Sequence, residues 1–356
     1  MNPTTINEIP QEITDISPIW LSEAVSSVYP GIEVSAVTAD PLHLGTASTW
    51  RLHLTYAQGS SQGPDTLCIK SDFGLAHKDY LAQSGLYRKE ASVYLDILPQ
   101  TSARTPVCLA AGYNDAGRGF MLMHDLAADG GHFCDPVASL TVEQVAIGVA
   151  QLAELHAETW NAPYVDAPEW MHHACPLSRD DPFWDTIFAR YSELLSNPHA
   201  GAMPYQFRDP EVVHRAFNRL RQHDDKTARS LIHGDAHVGN FFVDGSDIPG
   251  MADFQCVQRG AVTHDLAMFI GSSLDIGDRR SNEEALLRQY LECLSQLGVS
   301  PPEYDELWLG YRQHYLYSLF VWVSTTDGYQ PLPHLVTNVF RYGMAALDLD
   351  SLGAIG

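Results

Sequence analysis

The sequence is poor in basic residues and has no long apolar run. Lysine and arginine together number 21 against 44 aspartate and glutamate residues, a formal net charge of −23 over 356 residues. Such a charge repels nucleic acids and anionic membrane surfaces, so neither is an expected partner, whereas a cationic small molecule is permitted. The most apolar stretch, Tyr315 to Ser324, is too short to cross a bilayer.

Two further absences narrow the class of protein. No basic residue precedes Arg51 and no apolar segment lies near the N-terminus, so there is no secretory signal pattern and a cytoplasmic location is the expectation. The six cysteines form no C-x-x-C or zinc-knuckle spacing, which predicts free, mostly buried thiols. They are Cys68, Cys108, Cys134, Cys175, Cys256 and Cys293.

The first third of the chain has the patterns of a β-sheet with one long helix. A polar arm up to Pro18 leads to a predicted helix over 19–28. A second, longer helix is predicted over 78–98, because Tyr87, Ala91 and Tyr94 follow one another at helical spacing. Alternating and apolar runs predict strands over 32–38, 49–56, 66–71, 107–112 and 119–123.

The rest of the chain is predicted to be mostly helical. Thr141 and Gln144 form a T-x-x-Q capping box that begins a helix ending near Trp160. The fold class is therefore α+β, with a small β-rich lobe over 1–125 and a larger helical lobe over 126–356. Further helices are predicted over 182–196, 210–223, 263–272, 282–297, 302–323 and 335–348, and short strands over 230–232, 240–243 and 250–252.

Polar residues are concentrated between the short strands in the segment Leu231 to Gln255. Asp235 follows His233 and Gly234, and Asn240 comes five residues after Asp235. This is the offset of the protein-kinase catalytic loop H-R-D-x-x-x-x-N. Asp253 comes eighteen residues after Asp235 and precedes a phenylalanine, as the magnesium-binding aspartate of the kinase D-F-G segment does.

The same residues leave alternatives open. His233, Asp235 and His237 form H-x-D-x-H, which could supply metal ligands to a metal-dependent hydrolase. A nucleotide-binding module without turnover is the other alternative. His156 is predicted to be a core histidine beneath the loop that carries Asp235.

The segments HGDAHVGN and ADFQ resemble the aminoglycoside phosphotransferase and choline kinase family of small-molecule kinases, with the resemblance extending over 41–273. The resemblance implies a protein-kinase-like bilobal fold that binds ATP and Mg²⁺. It assigns Asp235 to accept or orient the proton of the substrate hydroxyl, and Asn240 and Asp253 to bind magnesium. Asp265 would open a helix and brace the catalytic loop.

The resemblance also implies nucleotide-binding residues in the small lobe. Lys70 would bind the phosphates with Glu90 as its ion-pair partner, and a hinge at Met123, His124 and Asp125 would bind adenine through its backbone. The phosphate loop would be the segment 44–48, which has one glycine and lacks the pattern G-x-G-x-x-G. Its candidate binding residues are Gly45, Thr46 and Ser48.

The acceptor is expected to be a small-molecule alcohol, possible classes being an aminoglycoside, a choline-like amine, a macrolide, a sugar or a sterol. Aromatic residues in the helix over 302–323 recur on one face, which is typical of a core-facing surface and also suits an aromatic wall for a substrate. They are Tyr304, Trp308, Tyr311, Tyr315 and Trp322.

Overall fold

The computed structural model describes residues 2–61, 63–76, 78–162, 183–227 and 230–356. The chain divides into two compact units. The first comprises Met1–Thr101, Thr105–His132 and Asp253–Gln255. The second comprises Ser102–Arg104, Phe133–Ala252 and Cys256–Gly356. A three-residue segment from late in the chain, which includes Asp253, therefore belongs to the first unit.

The first unit is built on a six-stranded sheet with the strand order β1-β5-β6-β4-β3-β2. All neighbouring strands are antiparallel except β1 and β5, which are parallel. The strands are β1 Thr4–Thr5, β2 Val34–Leu44, β3 Ser48–Tyr56, β4 Thr66–Ser71, β5 Cys108–Tyr113 and β6 Gly119–His124.

One face of this sheet is apolar and forms the core of the unit. Leu52, Ile69 and Leu122 come from three neighbouring strands and are fully buried in one cluster with Leu21 of the helix Pro18–Val25. Ser17 caps that helix by accepting a hydrogen bond from the Trp20 amide at 3.2 Å. Because side chains alternate along a strand, the other set of residues faces the opposite side of the sheet.

The prediction of one helix over 78–98 is wrong. Gly85 has a φ of +75°, a left-handed conformation that interrupts the helix and that glycine adopts without strain. Helices Lys78–Gln83 and Leu86–Ser92 lie on either side of it. A π-helical turn follows over Val93–Ile97, and the helical segment ends in a 3₁₀ turn at Leu98–Gln100.

Two other elements of the first unit differ from expectation. The N-terminal arm contains a strand, since Thr4 and Thr5 pair with Ala110 and Ala111 of β5. Strand β2 continues to Leu44, six residues beyond the predicted end.

The second unit is mostly helical, as predicted, and the α+β class is confirmed. The capping box is present, with Thr141 accepting from the Gln144 amide and the Gln144 side chain accepting from the Thr141 amide. After the short strand β7 His132–Phe133, strands β8 Ser230–Ile232 and β11 Gln258–Gly260 pair antiparallel, as do β9 Phe241–Val243 and β10 Pro249–Met251. The helices are Val142–Glu158, Phe183–Ala189, Tyr191–Leu194, Pro210–Thr227, Val262–Ser273, Ile276–Gln296, Tyr304–Ser324, Leu332–Asp348 and Ser351–Ile355. Pro182, the predicted start of one helix, lies outside the described residues.

The aromatic residues of the helix Tyr304–Ser324 belong largely to the core. Tyr311, Tyr315 and Trp322 are buried, which agrees with the core interpretation. Across the described ranges, no helix is both long and apolar enough to cross a membrane.

The described cysteines are free thiols, as predicted, and Cys175 lies outside the described residues. Four of the five are buried and Cys293 is half-buried.

Candidate active site

The loop after β8 in the second unit is anchored to Asp265 on the helix Val262–Ser273. The carboxylate of Asp265 accepts hydrogen bonds from the amides of His233, at 2.6 Å, and Gly234, at 3.0 Å. The Nε2 of His156 lies 3.1 Å from the same carboxylate. Both Asp265 and His156 are fully buried, so the predicted brace and the predicted core histidine are confirmed.

The environment of Asp265 keeps it ionised. Burial works to raise its pKa, but the hydrogen bond and charge of His156, with the nearby imidazoles of His264 and His233, lower it to about 2. A carboxylate in this state can accept two backbone N–H groups at once. The loop is therefore held by a carboxylate that is ionised at neutral pH.

Gly234 is required by the shape of this loop. Its φ is +81°, and a Cβ atom there would lie 2.1 Å from the carbonyl oxygen of Cys256. The Nε2 of His264 donates to the Gly234 carbonyl oxygen at 3.0 Å, a contact that the sequence did not reveal. A residue with a side chain would displace the backbone just before Asp235.

The histidines of the H-x-D-x-H pattern are engaged within the loop. The Nε2 of His233 donates to the Ala252 carbonyl oxygen at 2.9 Å, and its Nδ1 accepts from the Asp235 amide at 3.3 Å. The Nδ1 of His237 accepts from the Gly239 amide at 3.1 Å. Over the residues that the structure describes, no three His, Cys, Asp or Glu side chains are grouped to hold a metal ion.

Asp235 and Asn240 lie together in this loop. The Nδ2 of Asn240 donates to the backbone oxygen of Asp235 at 2.8 Å and to its Oδ2 at 3.2 Å. The Asn240 carbonyl oxygen accepts from the Ala252 amide at 2.8 Å. The Asp235 side chain is 22% exposed, so its orientation is restricted while it stays accessible to a reactant.

Lys70, Glu90 and Asp253 lie together in the first unit. The Nζ of Lys70 is 2.8 Å from Oε1 of Glu90 and 2.9 Å from Oδ1 of Asp253. Burial works to lower the pKa of Lys70, but the carboxylates of Asp253 and Glu90 outweigh this effect, so the pKa is raised. Burial raises the pKa of Glu90, while Lys70 opposes the shift. The predicted ion pair of Lys70 and Glu90 is present.

Asp253 has an uncommon backbone conformation. Its φ is +67°, in the left-handed region that residues other than glycine adopt at a cost. Its side chain is 35% exposed while it is paired with the buried Lys70. Such strained residues cluster at functional sites, where the surrounding structure holds them in place.

The turn between β2 and β3 contains the residues predicted to bind phosphate. Gly45 and Thr46 lie in the turn, and the hydroxyl of Thr46 donates to the side-chain oxygen of Gln255 at 3.0 Å. Ser48 is fully buried in β3 and its hydroxyl donates to the Ser71 carbonyl oxygen. The role of Gln255 was missed because the contact joins residues that are distant in sequence.

The residues predicted as the hinge lie at the end of β6. The His124 amide donates to the Val107 carbonyl oxygen at 2.9 Å, and the His124 Nε2 lies 2.8 Å from the hydroxyl of Tyr29. Met123 is almost fully buried. Asp125 is also buried, and its carboxylate is paired with Arg51.

Solved structures with the same fold are small-molecule phosphotransferases. A spectinomycin phosphotransferase, solved with ADP and spectinomycin, is 14% identical with a TM-score of 0.52, over 94% of this chain and 99% of that one. A Ralstonia eutropha protein assigned as an aminoglycoside phosphotransferase is 11% identical with a TM-score of 0.50, over 94% and 96% of the two chains. These likenesses establish the protein-kinase-like fold.

The fold is that of small-molecule kinases, enzymes that move a phosphoryl group to a hydroxyl of a small molecule. The model of the ecdysteroid kinase-like family matches residues 46–298, well over half of the chain, and the chain belongs to that family. Among curated protein sequences, none matches this chain. The family membership argues against a nucleotide-binding module without turnover.

Proposed function

We propose that this kinase transfers the γ-phosphate of ATP, with magnesium, to an alcohol group that Asp235 orients. The observation that carries the proposal is the hydrogen bond from Asn240 to the Asp235 carboxylate, in a loop fixed by the buried Asp265. Phosphoryl transfer depends on positioning and electrostatic stabilisation more than on covalent chemistry. A restrained, accessible carboxylate is suited to accept the hydroxyl proton.

Lys70 would bind the phosphates of ATP in the first unit. The ammonium group is already held between Glu90 and Asp253 at hydrogen-bond distance, so it does not need to be ordered when the nucleotide binds. Thr46 and Gly45, in the turn between β2 and β3, are the proposed phosphate-loop contacts. The ADP in the spectinomycin phosphotransferase structure supports an adenine nucleotide as the donor.

Asn240 and Asp253 have the chemistry of magnesium ligands. Magnesium prefers oxygen donors, and a site built from one or two carboxylates with substrate phosphates is typical. Asp253 supplies a carboxylate. Asn240 supplies its Oδ1, because its Nδ2 donates a hydrogen bond to Asp235. When bound, the ion would neutralise charge on the phosphate oxygens.

The acceptor is a small molecule, and a cationic alcohol is the class that the charge of the chain favours. The net charge of −23 attracts amines and repels anionic acceptors. Choline-like and aminoglycoside alcohols fit this preference. The match to the ecdysteroid kinase-like family supports a steroid alcohol as a second class, and macrolides and sugars complete the set to be tested.

The test is a turnover screen with ATP and magnesium against amine, sugar, macrolide and sterol alcohols. Product formation with at least one acceptor is expected for the wild type, and Asp235→Asn is expected to lose it while keeping the folded state. Asp247→Asn is the matched control, since Asp247 lies on the exposed turn after β9 with a φ of 62° that asparagine also tolerates. Equal activity of Asp235→Asn and Asp247→Asn would exclude the proposed role of Asp235.

A further inference from the structure

The face of the sheet that carries Lys70 can be followed across the strands by their register. Lys70 is opposite Thr49 on β3 and Met121 on β6. Residues directly opposite one another in an antiparallel pair project to the same side of the sheet. These three side chains therefore form one row on the face opposite the apolar core.

The next row on the same face contains an arginine. Cys68, two residues before Lys70, is opposite Arg51 on β3 and Met123 on β6. Residues two apart on a strand share a face and are separated by about 7 Å. Arg51 therefore lies one row from Lys70, towards the end of β6 where His124 and Asp125 follow.

The Arg51 side chain is fixed in place. Its Nε donates to Oδ2 of Asp125 at 2.6 Å and its Nη2 to Oδ1 at 3.2 Å, so the guanidinium and the carboxylate form a bidentate ion pair. Asp125 also accepts from the Thr66 hydroxyl at 2.9 Å and from the Ala127 amide at 3.1 Å. A planar cation is thus held by a carboxylate that is itself anchored to two elements.

The pair is buried unequally. The Asp125 side chain is 4% exposed, whereas that of Arg51 is 28% exposed. The anchoring group is therefore enclosed while part of the arginine remains accessible. An arginine plane restrained in this way can stack on an aromatic ring.

We propose that the guanidinium plane of Arg51 stacks on the base of the nucleotide, and that Asp125 is a positioning residue that holds this plane. The inference rests on the proposed function, because it takes Lys70 as the phosphate-binding residue. The inference also takes the base to lie at the predicted hinge, at the end of β6. A nucleotide placed in this way, with its phosphates at Lys70, passes the row that contains Arg51. Stacking is tolerant of base identity, so Arg51 contributes to adenine and guanine nucleotides alike.

Binding measurements on the full chain with ATP, GTP, adenosine and tripolyphosphate test this inference. Arg51→Ala is expected to weaken ATP, GTP and adenosine each about tenfold and to leave tripolyphosphate unchanged, since only the base contact is lost. Arg51→Lys keeps the charge without the plane, so it is expected to show the same loss. Asp125→Asn should show a smaller loss with the same dependence on the base.

The matched control is Arg118→Ala. Arg118 forms a similar bidentate pair with Asp72 in the same unit: its Nε and Nη2 donate to the two carboxylate oxygens, each at 2.6 Å. This variant is expected to lower thermal stability as Arg51→Ala does, without changing the affinity for any of the four probes. Unchanged adenosine affinity in Arg51→Ala, wild-type affinity in Arg51→Lys, or equal losses of ATP and tripolyphosphate would each overturn the inference.

Lys70→Ala separates this inference from the proposed function. It is expected to weaken ATP and tripolyphosphate while adenosine still binds. If Lys70→Ala leaves ATP affinity intact, the phosphate role of Lys70 fails whatever Arg51 does. If Lys70→Ala behaves as expected and Arg51→Ala does not, only the stacking inference fails.

Discussion

The Nδ2 of Asn240 lies within hydrogen-bond distance of both the backbone oxygen and the carboxylate of Asp235. One amide group therefore fixes the backbone and the side chain of the same aspartate. The five-residue offset between the two residues, which is evident in the sequence, corresponds to a single closed turn of the loop. This contact restrains Asp235 before any substrate binds.

Asn240→Ala is expected to lower kcat about 100-fold, because a reacting group that loses its orientation loses much of its effective concentration. The magnesium concentration needed for half-maximal activity should rise as well, since the proposed oxygen ligand is removed. Steady-state kinetics over a range of ATP and magnesium concentrations measures both effects.

Asn282→Ala is the control for that experiment. The Asn282 amide also donates to a backbone oxygen, that of Asp278 at 2.8 Å, but on the outer part of the helix Ile276–Gln296. Its kinetics should equal those of the wild type. An Asn240→Ala enzyme with unchanged kcat and magnesium dependence would contradict the positioning role.

Lys70→Met is expected to abolish turnover and to lower the free energy of unfolding by about 3 kcal/mol, because a buried Glu90 carboxylate loses its partner. In the double variant with Glu90→Gln the buried charge is gone, so much of this stability should return while activity does not. Urea unfolding and initial rates of the wild type, the two single variants and the double variant form a complete cycle. A double variant as unstable as Lys70→Met would show that the ion pair is not the source of the loss.

The low pKa of Asp265 predicts a specific acid dependence of stability. The folded value of about 2 lies below the unfolded reference of 3.8, so the carboxylate contributes stability above pH 3.8 that is lost as the pH falls towards 2. The contribution is about 2 kcal/mol at pH 5, and about half of it is lost at pH 3. Urea unfolding of the wild type and Asp265→Asn at these two pH values measures the difference.

The difference in the free energy of unfolding between the wild type and Asp265→Asn should shrink by about 1 kcal/mol from pH 5 to pH 3. A stability difference that stays constant over this range would mean that Asp265 does not titrate as the structure implies.

Gly234→Ala is expected to destabilise the protein by about 3 kcal/mol or more, because it combines a left-handed backbone with a clash against the Cys256 carbonyl oxygen. Gly201→Ala is the matched control in the same unit, since a Cβ atom there meets nothing within 4 Å and its φ is not positive. Thermal unfolding of the two variants measures the contrast. Equal melting temperatures would contradict the close approach at Gly234.

The proximity of Asp235 and Asn240 could be predicted because both residues lie in one short loop. The offsets between Asp235, Asn240 and Asp253 depend on a loop and one hairpin, and the structure has both. The ion pair of Lys70 and Glu90 could be predicted once the order of strand and helix was known. Residue types and spacings within short segments are therefore enough to predict such contacts.

Other features could not be predicted, since they depend on contacts between distant segments. The bonds of Thr46 to Gln255 and of Arg51 to Asp125 join residues more than 70 positions apart. The strand Thr4–Thr5 is too short to have a periodic pattern, and it exists because β5 offers it a partner. The break at Gly85 was missed because the helical spacing of Tyr87, Ala91 and Tyr94 lies entirely after it and was extended backwards across the glycine.

Strand β2 forms one outer margin of the sheet and exposes Leu42 and Leu44 there. A long margin of this kind invites strands from other molecules to add to it. Its register is irregular between Val34 and Ala36 and again between Pro41 and His43, and Pro41 has no amide hydrogen to offer. The strand that leads into the turn at Gly45 and Thr46 thus discourages edge-to-edge pairing between molecules, which favours colloidal stability at high concentration.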